Sequence, residues 1–174
     1  MRKDKIRRIT LTSLLTALAV VLSFVESLLP TAYFMPPGSK LGLSNIPVMF
    51  SASSLKFGET MMLVFAKSVF VLITRGVTAF CMSLAGGILS AMCTMLIFRK
   101  TKDFGFMGIG VLSALCHNIG QLTVSFFMVK TSAILGYAPF LLITSVVTGI
   151  LTGMILRFAM PYFSKLTTLK EMEK

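Results

Sequence analysis

Residues 79–98 read AFCMSLAGGILSAMCTMLIF, a run of twenty residues without a charged side chain. A helix needs roughly 20 apolar residues to cross the hydrocarbon core of a bilayer, so this run alone predicts a transmembrane helix. The rest of the chain agrees, because 55% of its 174 residues are hydrophobic and only 13% are charged. A soluble domain carries about 25% charged residues. We therefore predict an all-α integral membrane protein.

Apolar runs on both sides of this segment predict about six spanning helices. We expect a single transmembrane domain over residues 1–174, with a polar cytoplasmic tail at 157–174. The second and third helices have about fifteen residues and rise only about 22 Å, against roughly 30 Å of hydrocarbon. We expect them to border a cavity or to continue into structured loops. The predicted helices cover about 9–29, 41–55, 60–74, 79–98, 104–128 and 133–156.

The distribution of positive charge predicts the orientation. The chain has 17 Lys and Arg against 6 Asp and Glu, a net charge of +11. The cations flank the apolar runs, as membrane orientation signals do, so we expect no nucleic-acid partner. Six spans place 13 cations on one side of the membrane and 3 on the other. The positive-inside rule then predicts a multi-pass protein of the cell membrane with both termini cytoplasmic.

Small residues recur at four-residue spacing on three of the predicted helices. Such spacing lets helix backbones approach closely in lipid. It indicates either packing inside the bundle or docking to another membrane subunit, and the motifs alone do not choose between the two. The motifs are Ser13-x-x-x-Ala17 and Ala19-x-x-x-Ser23 in helix 1, Ser83, Gly86-Gly87 and Ser90 in helix 4, and Ser145, Gly149 and Gly153 in helix 6.

Lys67 lies seven residues from each end of the third predicted helix. An ionisable side chain at this depth is costly and is typical of a substrate path. We expect Lys67 to face a cavity or an acidic partner. Glu26 is the acidic residue near the outer half of a span, so a Glu26–Lys67 ion pair is the structural alternative to ligand binding.

The fifth predicted helix carries closely spaced polar side chains. Ser113, His117 and Gln121 lie four residues apart, and Asn118, Gln121 and Ser125 follow at intervals of three and four. One interpretation is a network of hydrogen bonds between helices, which polar groups in lipid need. The other is contact with a ligand, for which we select His117, Asn118 and Gln121.

The loop after helix 1 adds candidate binding residues. Lys40 and Asn45 flank Gly42, where a glycine lets the backbone approach a ligand closely. Arg75 and Lys130 lie in outer loops, so these cations and Lys67 could converge on an outward-facing pocket for an anionic or phosphate-bearing solute. Alternatively, the loop cations are simply solvated.

Several classes of chemistry find no support in the sequence. There is no G-x-x-x-x-G-K-[ST] phosphate loop, and the two aspartates, Asp4 and Asp103, lie beside basic residues in predicted loops. The three cysteines form no C-x-x-C and no metal-ligand spacing. We expect no enzyme activity, no metal and no cofactor.

Three ordered motifs carry a family resemblance. The segments Lys40-Leu41-Gly42-Leu43-Ser44-Asn45-Ile46, Ser83-Leu84-Ala85-Gly86-Gly87 and His117-Asn118-Ile119-Gly120-Gln121 together resemble the Gx transporter family. Members of this family are often labelled heptaprenyl diphosphate synthase component I. The resemblance covers the chain from about Thr10 to Arg157. The family is similar to the S components of energy-coupling factor (ECF) transporters, which are six-helix membrane proteins.

This resemblance implies a function and partners. S components bind a vitamin-like solute near the outer face and associate with a transmembrane coupling subunit and two ATPases. Their first helix carries an A-x-x-x-A coupling face, which corresponds here to Ser13-x-x-x-Ala17. Where relatives tend to have Arg in the third helix, this chain has Lys67, which keeps the charge but loses bidentate geometry.

Three functional hypotheses follow. The first is a solute-binding transporter subunit that takes up a small vitamin-like or anionic solute. The second is a membrane subunit of isoprenoid or quinone metabolism, including quinone-linked electron transfer, which predicts a lateral opening towards lipid. The third is a structural scaffold, which leaves Lys67 and the His117 cluster unexplained. Prenyl synthases need acidic clusters for magnesium and diphosphate, so an enzyme label fits these residues poorly.

Overall fold

The computed structural model describes residues 2–28, 42–100, 105–130 and 132–168. Within these ranges the chain is helical apart from short turns, so the predicted all-α fold class is confirmed. The elements in chain order are α1 (Arg2–Leu28), a 3₁₀ turn (Leu43–Asn45), α2 (Ile46–Ser54), α3 (Phe57–Lys100), α4 (Phe106–Val129), a second 3₁₀ turn (Ser132–Tyr137) and α5 (Ala138–Thr168).

The long element α3 is a helical hairpin that reverses at Gly76. Gly76 has φ +85° and ψ −178°, a conformation that favours glycine. Ser68 donates a 3.3 Å hydrogen bond to Ser83 across 15 residues, which a straight helix would separate by about 22 Å. Residues 57–75 form a first arm and residues 77–100 a second, antiparallel arm. The two arms correspond to the predicted third and fourth helices.

The short helix α2 is enclosed by the rest of the bundle. It has nine residues, which rise only about 13 Å, and Pro47, Val48, Met49, Phe50, Ser51 and Ala52 are all buried. The prediction of one helix over 41–55 is wrong at its start. Gly42 adopts a left-handed conformation (φ +96°) and a 3₁₀ turn follows, so the α-helix begins only at Ile46.

The outside of the bundle is apolar, as a protein surrounded by lipid requires. Four elements, α1, α3, α4 and α5, are long and apolar enough to cross a membrane, and Leu14, Ile73, Phe127 and Ile143 are among the exposed large side chains. The structure therefore supports a multi-pass membrane protein. Five long helical segments, with α3 counted as two arms, surround α2, so six full-length spans are not what the described residues provide.

Glycines bring α4 and α5 into backbone contact. A Cβ added to Gly110 would lie 2.1 Å from the carbonyl oxygen of Gly149, and one added to Gly153 would lie 2.5 Å from that of Phe106. The small residues of the sixth predicted helix thus serve internal packing. Those of the fourth do the same, because Gly86 faces α4 and Gly87 faces Val64 of the first arm.

Two ends of the bundle can be distinguished. Arg8 of α1 lies 3.9 Å from Glu59 at the start of α3, so α1 and the first arm run in the same direction. The end of α1 therefore lies towards Gly76, which we call the hairpin-tip end. At the opposite end α5 continues through Pro161 to Thr168, where the sequence predicted a polar tail from residue 157.

Candidate functional site

The three family motifs meet around the imidazole ring of His117 on α4. A Cβ added to Gly86 would lie 2.8 Å from His117 Nδ1, and one added to Gly42 would lie 3.8 Å from His117 Cδ2. Gly120, one turn further along α4, packs against the backbone of Gly86. The glycines of the motifs therefore make room for the ring, and the described parts of all three segments belong to one site.

His117 is held by its own helix. Its Nε2 lies 2.6 Å from Nε2 of Gln121, one turn later, and both side chains are buried. Because an amide nitrogen only donates, His117 Nε2 accepts this bond in the orientation of Gln121 that the structure has.

Glu26 anchors the segment 42–44 to the end of α1. Its Oε1 accepts hydrogen bonds from the backbone N–H groups of Gly42 at 2.5 Å and Leu43 at 2.6 Å, and its Oε2 accepts a longer bond from Ser44 at 3.4 Å. The left-handed conformation of Gly42 turns successive N–H groups towards one point, which is the geometry of an anion-binding nest. The carboxylate of this chain fills that nest.

Lys67 is bonded to the same segment. Its Nζ donates a 2.7 Å hydrogen bond to Oδ1 of Asn45, and the lysine side chain is only 1% exposed. Lys67 precedes Gly76 at the hairpin tip by nine residues, or about 14 Å of helix rise. The described contacts join both Glu26 and Lys67 to the same segment, residues 42–45.

Asn118 fastens α4 to α5. Its Nδ2 donates to the carbonyl oxygen of Leu141 at 3.2 Å and to Oγ of Ser145 at 2.7 Å. Part of the polar stripe on α4 is therefore a network between helices, as one sequence interpretation predicted. Ser113 belongs to a second such network, since its Oγ lies 2.7 Å from Ser90 and 3.0 Å from Thr94 on the second arm.

These side chains surround a small internal cavity. Its volume is about 250 Å³ including the space open to the surroundings, and its core has room for about one water molecule. The sequence analysis missed Met49 on α2 and Thr148 and Thr152 on α5. The two threonines lie four residues apart and continue the line of Ser145, a spacing that could have revealed them. The lining residues are Gly42, Asn45, Met49, Ser113, Ala114, His117, Asn118, Thr148 and Thr152.

A second, larger space lies between α4 and α5. It is an apolar groove of about 370 Å³ with Asn118 and Ser145 among its walls. Asn118 therefore borders both the internal cavity and this groove. The remaining lining residues are Leu115, Ile119, Leu122, Ala138, Leu141 and Leu142.

The remaining predicted residues occupy different places. Lys40 lies outside the described residues. Arg75 is half-buried beside the hairpin tip and is not among the residues that line the cavity. On α1, Ala19 and Ser23 are buried in the bundle, whereas Ser13 and Ala17 are exposed on its outside. The two small-residue motifs of α1 thus face opposite ways.

A metal centre has no basis in the described part of the chain. No group of three or more His, Cys, Asp or Glu side chains comes together there. The polar residues of the site offer hydrogen bonds and two buried ionisable side chains, Glu26 and Lys67.

The comparison with protein families points to one family. Its model, described as heptaprenyl diphosphate synthase component I, matches residues 15–159. The match covers most of the chain and includes every residue described for the site. No curated protein and no solved structure matches the chain significantly.

Proposed function

The chain belongs to the heptaprenyl diphosphate synthase component I family, and on that premise we propose that it is the solute-binding membrane subunit of an ECF-type transporter. It takes up a small vitamin-like solute. The enzyme in the family label does not suit the chain itself. Prenyl diphosphate synthesis needs paired acidic residues for magnesium, and the chain has two aspartates, each beside basic residues.

The observation that carries this proposal is the buried polar cluster around the cavity. Glu26, Lys67 and four amide or imidazole side chains are almost fully buried within an apolar bundle. Ionisable groups inside a membrane protein are costly and are typical of substrate paths. The short helix α2 supports the same conclusion, because interrupted helices that begin inside the bundle are typical of transporter binding sites.

The orientation of transport follows from the charge distribution. We count α2 as the sixth crossing, since it leads the chain back from the hairpin-tip end to the start of α3. Both termini are then cytoplasmic, and the cavity lies in the outer half of the membrane. A solute reaches it from outside.

The exposed Ser13–Ala17 face of α1 is the docking surface for the coupling subunit. Small side chains there allow a partner helix to approach closely. The neighbouring Ala19–Ser23 face is already used within the bundle, so it is not available to a partner.

Native mass spectrometry of the chain, purified gently from its own membranes, tests the proposal. We expect a retained small solute and, at low detergent, a complex with a membrane coupling subunit and ATPase subunits. A chain that never retains such subunits, even after cross-linking in the membrane, would contradict the transporter assignment.

The apolar groove between α4 and α5 favours a second candidate function. A lateral opening lined by leucines suits an isoprenoid or quinone tail entering from the bilayer. In that case the same mass spectrum shows a long-chain lipid and no ATPase. The buried charges of Glu26 and Lys67 remain without a role in this alternative, so we rank it second.

A further inference from the structure

Two buried amide atoms on residues that line the cavity have no hydrogen-bond partner among the described residues. They are Nδ2 of Asn45, a donor, and Oδ1 of Asn118, an acceptor. The two side chains are 4% and 5% exposed. Leaving a buried polar group unsatisfied costs about 1–3 kcal/mol. The fold thus leaves one amide donor and one amide acceptor without a partner on two residues that line the same cavity.

The orientation of both amides is fixed by their other partners. Oδ1 of Asn45 accepts from the ammonium group of Lys67, which has no acceptor, so this atom cannot be the amide nitrogen. Nδ2 of Asn118 donates to the carbonyl oxygen of Leu141, which has no donor, so this atom cannot be the amide oxygen. The nitrogen and oxygen atoms of both amides are therefore assigned the right way round, so the open atom of Asn45 is a donor and that of Asn118 is an acceptor.

Both open atoms belong to side chains that line the internal cavity. A group placed between them has to accept a hydrogen bond from Asn45 and donate one to Asn118. Carboxamides, lactams and ureides present such an acceptor and donor on one edge. A carboxylate or a fully ionised phosphate presents acceptors alone, and one of its oxygens would face the oxygen of Asn118.

The charges near the cavity do not favour an anion. The residues that line it include no Asp, Glu, Lys or Arg. The two charges behind them, on Glu26 and Lys67, are of opposite sign and are bonded to one segment. Arg75, which the sequence assigned to an anion pocket, is not part of the lining.

We infer that the solute is neutral where it is recognised, and that a carboxamide-like edge bridges Asn45 Nδ2 and Asn118 Oδ1. This rests on the proposed function and replaces the expectation of an anionic solute with a definite chemical class. An amide and a carboxylate can both accept the hydrogen bond from Asn45, so the acceptor of Asn118 is the group that distinguishes them.

The sequence offers a direct way to observe the two amides. Asn45 and Asn118 are its only asparagines, so labelling with ¹⁵N-asparagine gives two side-chain NH₂ signals. The full chain in detergent is titrated with acetamide and, separately, with acetate, which has the same shape but carries charge and no donor. We expect saturable shifts of both signals with acetamide and none with acetate.

Two variants sharpen the titration. Asn45→Asp keeps an oxygen for Lys67 and removes the open donor, so the acetamide affinity, followed on the Asn118 signal, should fall about tenfold. Ser125→Ala is the matched control, because Oγ of Ser125 is also buried without a described partner but does not line the cavity. Its acetamide affinity should not change.

Each remaining outcome overturns the inference. Shifts that grow linearly with acetamide mean that a water molecule alone occupies the site, and saturation by acetate means that the site takes anions. Failure here leaves the transporter proposal standing if the ATPase subunits still copurify. Conversely, if acetamide binds but the ATPase subunits never copurify, the inference about the site stands and the transporter proposal is wrong.

Discussion

Gly86 illustrates how a single missing side chain shapes the site. The ring of His117 occupies the space where a Cβ of residue 86 would lie, at 2.8 Å from both Nδ1 and the backbone oxygen of His117. Gly120 makes the reciprocal approach to Gly86. The position of the ring therefore depends on the absence of a methyl group on the neighbouring helix.

Gly86→Ala should displace His117 and reduce solute retention. We expect a loss of about 1–3 kcal/mol in stability from overpacking, measured as melting with a thiol-reactive dye that reports on Cys81, Cys93 and Cys116. Gly58→Ala is the control, because no atom lies within 4 Å of its added Cβ. Equal melting and equal solute retention in the two variants would contradict the role given to Gly86.

Lys67 combines a stabilising contact with the proposed binding role. Lys67→Met removes a charged donor from Asn45 Oδ1, which should cost about 2 kcal/mol of stability and abolish the retained solute in the native mass spectrum. The double variant Glu26→Gln with Lys67→Met removes the opposite charge as well. We expect it to bind no solute. Recovery of binding in the double variant would show that Lys67 serves only to offset Glu26.

At the scale of the helices, small residues serve either packing within the bundle or a surface on its outside. The glycines of α4 and α5 and of the second arm of α3 allow backbone contact within the bundle. On α1, one small-residue face points inwards and one outwards. Spacing in the sequence is the same in every case, so it could not distinguish them. The burial of each residue in the structure distinguishes the two kinds of motif, because burial depends on where the neighbouring helices lie.

Ala17→Leu and Ala19→Leu should therefore fail in different ways. Ala17 is on the outside, so its variant should melt within about 0.5 kcal/mol of the parent chain and still bind solute, but lose the coupling and ATPase subunits. Ala19 is 0% exposed, and its variant should be destabilised by about 1–3 kcal/mol. Copurification and dye melting measure both effects. A destabilised Ala17→Leu would place that face within the bundle.

At the scale of the molecule, labelling in intact cells tests the orientation. Gly105 and Gly136 lie in connections on either side of α4, and neither has an atom within 4 Å of an added Cβ. With the native cysteines replaced, Gly136→Cys should react with an impermeant thiol reagent and Gly105→Cys should not. The reverse pattern would invert the proposed orientation.

The sequence predicted the polar site better than it predicted the helices that hold it. Lys67 and Asn118 were selected because polar side chains are rare in apolar runs, and Asn45 because it lies near a glycine in a predicted loop. The true partner of Glu26 could not be found in this way, since the donors are backbone N–H groups of residues 42–44. Arg75 and Lys67 carry the same charge but lie in different surroundings. The position of a residue along its helix does not determine which residues of other helices it contacts.

The enclosed helix α2 constrains how the protein is made. Nine residues that rise about 13 Å are too few for the insertion machinery to release into lipid as a separate segment. Their burial comes mainly from α1, α3 and α5, and the last two of these are synthesised after α2. Helix α2 therefore reaches its final packing only after α5 has been inserted. The last step of biogenesis is the packing of the later helices around α2.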